Sequence, residues 1–138
     1  MERYEQVPHT ADIAARVFGE TVPGLFENAA FAMFDIMADL GGLDADTVVK
    51  VELEAPDTES LLVAWLNELL YRSYLKQVLF FDFQIIALEN NTLQAEARGR
   101  KMPDRRERMR TEIKATTYHA LEIKKTGPGY EVTVVFDV

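Results

Sequence analysis

Two aspartates near opposite ends of the sequence, Asp12 and Asp137, are the residues whose chemistry is most worth tracing. Asp12 lies in the run His9-Thr10-Ala11-Asp12-Ile13, and Asp137 comes one residue before the final Val138. Between them stands Glu112-Ile113-Lys114-Ala115-Thr116-Thr117-Tyr118-His119-Ala120-Leu121-Glu122. If the fold joins the two ends, Asp12, Asp137 and a free α-carboxylate on Val138 meet. Three carboxylates in one place repel, so one must hold a proton or a cation must sit among them. An all-oxygen, anionic donor set suits a hard divalent ion such as Ca²⁺, Mg²⁺ or Mn²⁺. Each residue also has a plainer reading. Asp12 can cap a turn, and Asp137 falls on the more polar face of its strand, where it can simply be solvated. Lys114 can form a cross-strand ion pair. His119 shares a face with Ile113, Ala115, Thr117 and Leu121, as a hydrogen-bonded core histidine does. His9 can bond its own turn or help line a site.

For an enzyme the inventory is thin, and no catalytic residue is assigned. The absence of cysteine excludes disulfides, thiolate metal sites and cysteine nucleophiles. Gly41-Gly42 and Gly127-Pro128-Gly129 are turn glycines, with no phosphate loop around them. Ser60 and Ser73 fall on an expected helix, away from any nucleophile elbow. Asp12 and His119 could serve as a base and its orienter, but no nucleophile accompanies them. The net charge of −8 argues against general nucleic-acid binding. Arg98, Arg100, Lys101, Arg105, Arg106, Arg108 and Arg110 nevertheless make one basic stretch, either a solvated face or a contact surface for an acidic partner or RNA.

Several elements must position these groups. Residues 3–8 and 11–18 read as extended, the second alternating Asp12, Ala14, Arg16 and Phe18 with Ala11, Ile13, Ala15 and Val17. Thr21 and Pro23 start a helix, whose Phe26, Phe31, Met33, Phe34 and Met37 read as core and which Gly41-Gly42 should stop. A strand over 47–55 precedes Pro56-Asp57-Thr58, which caps a second helix with an apolar stripe of Leu61, Leu62, Trp65, Leu66, Leu69 and Leu70, extended by Leu75 and Val78. Asn67, Glu68, Arg72 and Lys76 fall on its polar face. A hairpin follows over 80–99, turning at Glu89-Asn90-Asn91. Residues 111–124 and 130–137 give the last two strands. The expected fold class is α/β (α+β), with a mixed, largely antiparallel sheet of about six or seven strands and two helices on one side. Its length suits one domain, no membrane span or signal peptide is visible, and a cytoplasmic protein is the default expectation.

Four segments resemble the archease family, small proteins that activate the RtcB-type RNA ligase. They are His9-Thr10-Ala11-Asp12; Leu61-Leu62-Val63-Ala64-Trp65-Leu66-Asn67-Glu68-Leu69-Leu70-Tyr71; Glu112-Ile113-Lys114-Ala115-Thr116-Thr117-Tyr118-His119; and Val134-Val135-Phe136-Asp137-Val138. They occur in the family's order and span nearly the whole chain. The resemblance implies a single domain over 1–138, a two-layer sandwich, and a metal site built from Asp12, Asp137 and the carboxylate of Val138. It implicates Lys114 in activation, with Thr117, His119 and His9 on the same surface. It implies an accessory protein, not an enzyme, that promotes GMP transfer from GTP onto the ligase and multiple turnover in tRNA splicing and RNA repair. GTP and Mn²⁺ would belong to the ligase, and any RNA contact would be indirect or weak, through Arg98–Arg110. Where the family often carries acidic residues and a histidine before its third motif, this chain has Arg100–Arg108, which removes one source of a fourth metal ligand. A chaperone-like binding module and a small metal-dependent hydrolase are the rival readings.

Overall fold

The computed structural model describes residues 2–8, 12–118 and 121–138. His9 and His119, both named above, lie outside the described residues. The order is β1 (Tyr4–Val7), β2 (Ile13–Gly19), α1 (Val22–Met37), β3 (Thr47–Glu54), α2 (Thr58–Lys76), β4 (Val78–Glu89), β5 (Thr92–Lys101), β6 (Ala115–Thr117), β7 (Lys124–Lys125) and β8 (Tyr130–Asp137).

Both helices begin at the residues whose side chains can cap them. The Gly24 amide donates to Thr21 Oγ1 at 3.0 Å, with Pro23 in the first turn. The Ser60 amide donates to Asp57 Oδ1 at 2.7 Å. These bonds satisfy amides that a helix start leaves without partners. The two helices meet through Trp65 of α2, which is fully buried and donates its indole N–H to the Phe26 carbonyl at 3.0 Å. Phe83 packs edge-on against Trp65 and stacks on Phe34. Phe26, Met33, Phe34 and Met37 are all fully buried core, whereas Phe31 is only partly buried, packed against that core under the Arg3 guanidinium.

The strands form two sheets, ordered β1-β2-β8-β6, with β7 also on β8, and β3-β5-β4. Both lay one face on the helices. Every pairing among the described residues is antiparallel. The α+β class holds, but the strands are divided between two sheets. The β4–β5 hairpin turns at Asn90 and Asn91, with φ of 52° and 59°. Two left-handed residues in succession match the right-handed twist of the flanking strands. Gly99 lies opposite Phe80, beside a register shift, where any Cβ would overlap the Leu79 carbonyl. No helix among the described residues is long and apolar enough to cross a membrane.

Three boundaries differ from the sequence expectation. First, α1 ends at Met37, before Gly41-Gly42. Ala38 is extended and bridges to Met109, while the amides of Arg110 and Thr111 donate to the Met37 carbonyl. Second, α2 ends at Lys76 with Gln77 left-handed, so Val78 belongs to β4, while Leu75 is exposed. Third, 111–124 is not one strand. Ile113 and Thr116 are both buried, and two residues of opposite parity cannot both point inward from one regular strand. Only Ala115–Thr117 and Lys124–Lys125 pair with β8, which brings the strand total to eight among the described residues.

The basic stretch acts as an internal strap. Arg108 donates to the carbonyls of Asp39 and Gly41 at 3.2 and 2.6 Å, and Arg110 to the Asp35 carbonyl at 3.0 Å. These are carbonyls around the end of α1, where backbone acceptors lack helical partners. Arg105 donates to Ser73 Oγ at 3.1 Å and lies over the Tyr74 ring at 5.1 Å. Arg98, Arg100 and Arg106 pair with Glu96, Asp46 and Asp104. The arginines are thus bonded within the fold, a role that differs from both the solvated face and the partner surface expected of this stretch.

The free edge of β6 is closed by a side chain of α2. Asn67 Nδ2 donates to the Thr116 carbonyl at 3.1 Å, and the Thr116 amide donates to Asn67 Oδ1 at 2.7 Å. The carboxamide thereby does what a neighbouring strand's peptide group would do.

Two predictions follow from these contacts. Asn67→Ala leaves both Thr116 backbone groups without those bonds and should cost about 2 kcal/mol, read as a lower urea midpoint with faster amide exchange at Thr116. A wild-type exchange rate there would refute the edge-closing role. The Ser60 amide holds the Asp57 carboxyl below its ordinary 3.8. A carboxyl whose folded value is depressed stabilises the fold above its unfolded value, and that contribution disappears as pH falls through the lowered value. Asp57→Ala should therefore melt below wild type at pH 7, with the gap narrowing toward pH 3. A gap independent of pH would show that the charge is immaterial.

Candidate functional site: the carboxylate end of the central strand

β8 runs between β2 and β6. Ile13 of β2 lies opposite Phe136, and Ala115 of β6 lies opposite Asp137. One residue beyond the β2 pairing, the same register sets Asp12 opposite Asp137. Residues directly opposite on antiparallel strands share a face, with Cβ atoms about 5 Å apart. Phe136 is fully buried against the helices, so Asp137 faces outward, with Asp12 and Ala115 on its flanks. The ends of the chain therefore come together as the sequence suggested.

The Lys114 amide donates to the Asp137 carbonyl at 2.8 Å, which ties the residue before β6 to the end of β8. The Lys114 side chain is exposed and forms no ion pair among the described residues, so the cross-strand pairing expected of it is not what holds it. Thr117 lies opposite Val135 on the outward face and donates its hydroxyl to the Val135 carbonyl at 3.3 Å. On that face Ala14 and Val135 are buried, so the carboxylates border an apolar floor. Val138 follows Asp137 and is 40% exposed. The structure therefore groups Asp12, Asp137, Val138, Lys114 and Thr117 at one end of one sheet.

Like charges placed directly opposite one another destabilise a strand pair, and a cation between Asp12 and Asp137 would relieve such repulsion. Among the described residues no three His, Asp or Glu side chains cluster as a metal site. The third oxygen donor that the resemblance implies is a carboxylate on Val138, the residue after Asp137. Such a set fits a hard divalent ion and offers nothing to a soft one. As for catalysis, neither Ser73 nor Thr116 is near this end as an exposed hydroxyl. Ser73 is buried and donates to the Val78 carbonyl, and Thr116 is buried with its hydroxyl toward Met33 sulfur.

Asn67 lies half-buried on the polar face of α2, as its spacing predicts, but the sequence does not reveal its role: its carboxamide bonds both backbone groups of Thr116 and so sets β6 in place. The available signal was an asparagine, a poor helix former, inside a run of leucines.

Residues 4–138 match the model of the Archease protein family (MTH1598/TM1083). The chain is 42% identical to the protein archease of Methanosarcina mazei, covering 99% of this chain and 97% of that one. It is 35% identical to the protein archease of Sulfurisphaera tokodaii over the whole of both. The solution structure of Methanobacterium thermoautotrophicum protein 1598 superposes with a TM-score of 0.86 at 31% identity and full coverage of both chains. A Thermotoga maritima crystal structure, described as "an archease, possible chaperone", superposes with a TM-score of 0.68 at 26% identity, covering 100% of this chain and 99% of that one. On the family match and these relatives together, the chain belongs to the archease family.

Proposed function

We propose that this protein is an accessory protein of an RtcB-type RNA ligase. It promotes transfer of GMP from GTP onto the ligase and so supports multiple turnover in tRNA splicing and RNA repair. The observation that carries this reading is the register that opposes Asp12 and Asp137 at the end of β8, in a chain of the archease family. Asp12, Asp137 and the carboxylate of Val138 would hold a divalent ion, Ca²⁺, Mg²⁺ or Mn²⁺. Such an ion, when bound, supplies positive charge to phosphate oxygens. Lys114 presents its ammonium beside the same end and neutralises a triphosphate oxygen of the partner's nucleotide. Thr117 completes the activating surface, to which the resemblance also assigns His9 and His119. A site of carboxylates without a nucleophile suits a protein that assists another's chemistry better than a self-sufficient catalyst.

A chaperone-like binding module is the second reading. Exposed Tyr71 and Leu75 on α2 favour it, as does the description of the Thermotoga maritima relative.

The deciding experiment measures guanylylation of an RtcB-type ligase by GTP and Mn²⁺, with and without substoichiometric amounts of this chain. Acceleration should fall about tenfold or more with Asp137→Ala, while the circular-dichroism melt stays near wild type because the side chain is exposed. Acceleration indifferent to Asp137→Ala would favour the chaperone reading. Phosphate-ester turnover by the chain alone would favour a hydrolase. Calorimetric titration with Ca²⁺ or Mn²⁺ should show binding that Asp137→Ala abolishes; equal binding by the variant would remove the metal site from this end of the sheet.

A further inference from the structure

The peptide unit between Ile113 and Lys114 is held at both ends. Its carbonyl, on Ile113, accepts from the Tyr74 phenol at 2.6 Å. Its N–H, on Lys114, donates to the Asp137 carbonyl at 2.8 Å. A trans peptide is planar and points these two groups in opposite directions. One plane therefore spans from α2 to the carboxylate end of β8. Bonds at both ends keep it from turning, and so set the direction in which the Lys114 side chain leaves the backbone.

Asn67 holds the same stretch a little further on, through both backbone groups of Thr116. Asn67 and Tyr74 stand seven residues apart on α2, which puts them on one face two turns apart. Seven helical residues advance about 10.5 Å. The steps from Ile113 to Thr116, when extended, span about 10 Å. The two side chains thus meet the neighbouring backbone at matched intervals, and α2 does for residues 113–116 what a further strand would do. Ile113 and Thr116 are also buried, so neither anchored residue can shift without disturbing the core. Lys114 lies between them with its side chain exposed. Tyr74 is itself fixed: Arg105 lies over its ring at 5.1 Å, and the Met37 sulfur is 3.5 Å from its hydroxyl.

We propose that Asn67 and Tyr74 are positioning residues for activation, holding the backbone so that the Lys114 ammonium meets the partner's nucleotide. The proposal rests on the ligase-accessory reading above. Neither side chain touches the nucleotide; both act through residues 113–116. A lysine has a long, flexible stem, so an anchored Cα is what limits where its charge can go.

The test uses Tyr74→Phe, which removes one hydroxyl and keeps the ring, and Asn67→Asp, which keeps an acceptor for the Thr116 amide and loses the donor to its carbonyl. Guanylylation of the ligase is read against the concentration of the chain, below the melting temperature of every variant. Each substitution should lower the saturating rate about tenfold and leave the half-maximal concentration near wild type. Lys114→Met should lower the saturating rate too. In the Lys114→Met background, Tyr74→Phe should cost nothing more, because the residue it positions has lost its charge. Amide exchange at Lys114, measured without the ligase, should quicken about fivefold in Tyr74→Phe, as loss of one hydrogen bond implies. A wild-type saturating rate in both Tyr74→Phe and Asn67→Asp would overturn the positioning role and leave the accessory function intact. The same fractional loss from Tyr74→Phe with and without Lys114 would show a structural effect only and overturn it as well. Unchanged exchange at Lys114 would remove the clamp itself. A wild-type chain that fails to accelerate guanylylation would overturn the accessory reading, and this assignment with it.

Discussion

The carboxamide of Asn67 is bonded to both backbone groups of Thr116, and the candidate site depends on that pair. β6 is only three residues long, too short to hold its place by ladder bonds to β8 alone. The helix side chain closes its outer edge and fixes its position against α2. Lys114 lies two residues before the anchored residue and Thr117 directly after it, so one amide helps to set the position of two site residues. An exposed strand edge is also a template for unwanted pairing, and a side-chain amide that fills it removes that template.

A similar substitution of side chain for main chain ends α1. The helix does not run to the glycine pair at 41–42, because Arg110 and Thr111 supply donors to its last carbonyls, Asp35 and Met37, first. Arginine suits this work: its guanidinium has several donors in fixed directions and stays charged. Burial lowers the Arg105 proton affinity, a cost opposed by the Tyr74 ring and Glu112 nearby. The basic stretch thus packs the ends of both helices against the sheets, and most of its charge is matched inside the molecule. Arg106 and Arg110 remain exposed enough to shape the surface around Tyr74.

Acidic and apolar features lie next to each other without interfering. Asp12 and Asp137 face outward from the sheet because Phe136 and its neighbours on β8 face inward. Tyr71 and Leu75 face outward from α2 because the stripe from Leu61 to Leu70 already fills the interior. Lys114 lies between the two surfaces.

Local patterns in the sequence determined a good part of this. Side-chain oxygens at Thr21 and Asp57 marked the helix starts, because a helix start needs acceptors there. Alternation on β8 assigned Asp137 to the more polar face, and on β2 it set Asp12 in line with Ala14, Arg16 and Phe18, because strand side chains alternate. Two asparagines announced the hairpin, and the order of four segments announced the archease resemblance. What the chain does between 102 and 124 was decided only by tertiary structure. The regular alternation expected over 111–124 is broken because Ile113 and Thr116 must both enter the core, and the partners that allow this, Asn67 and the end of α1, are distant in sequence. The same holds for the opposition of Asp12 to Asp137. Each residue is legible alone, but only the pairing of β2 with β8 brings their charges together, and pairing over such a separation is set by packing and not by local preference.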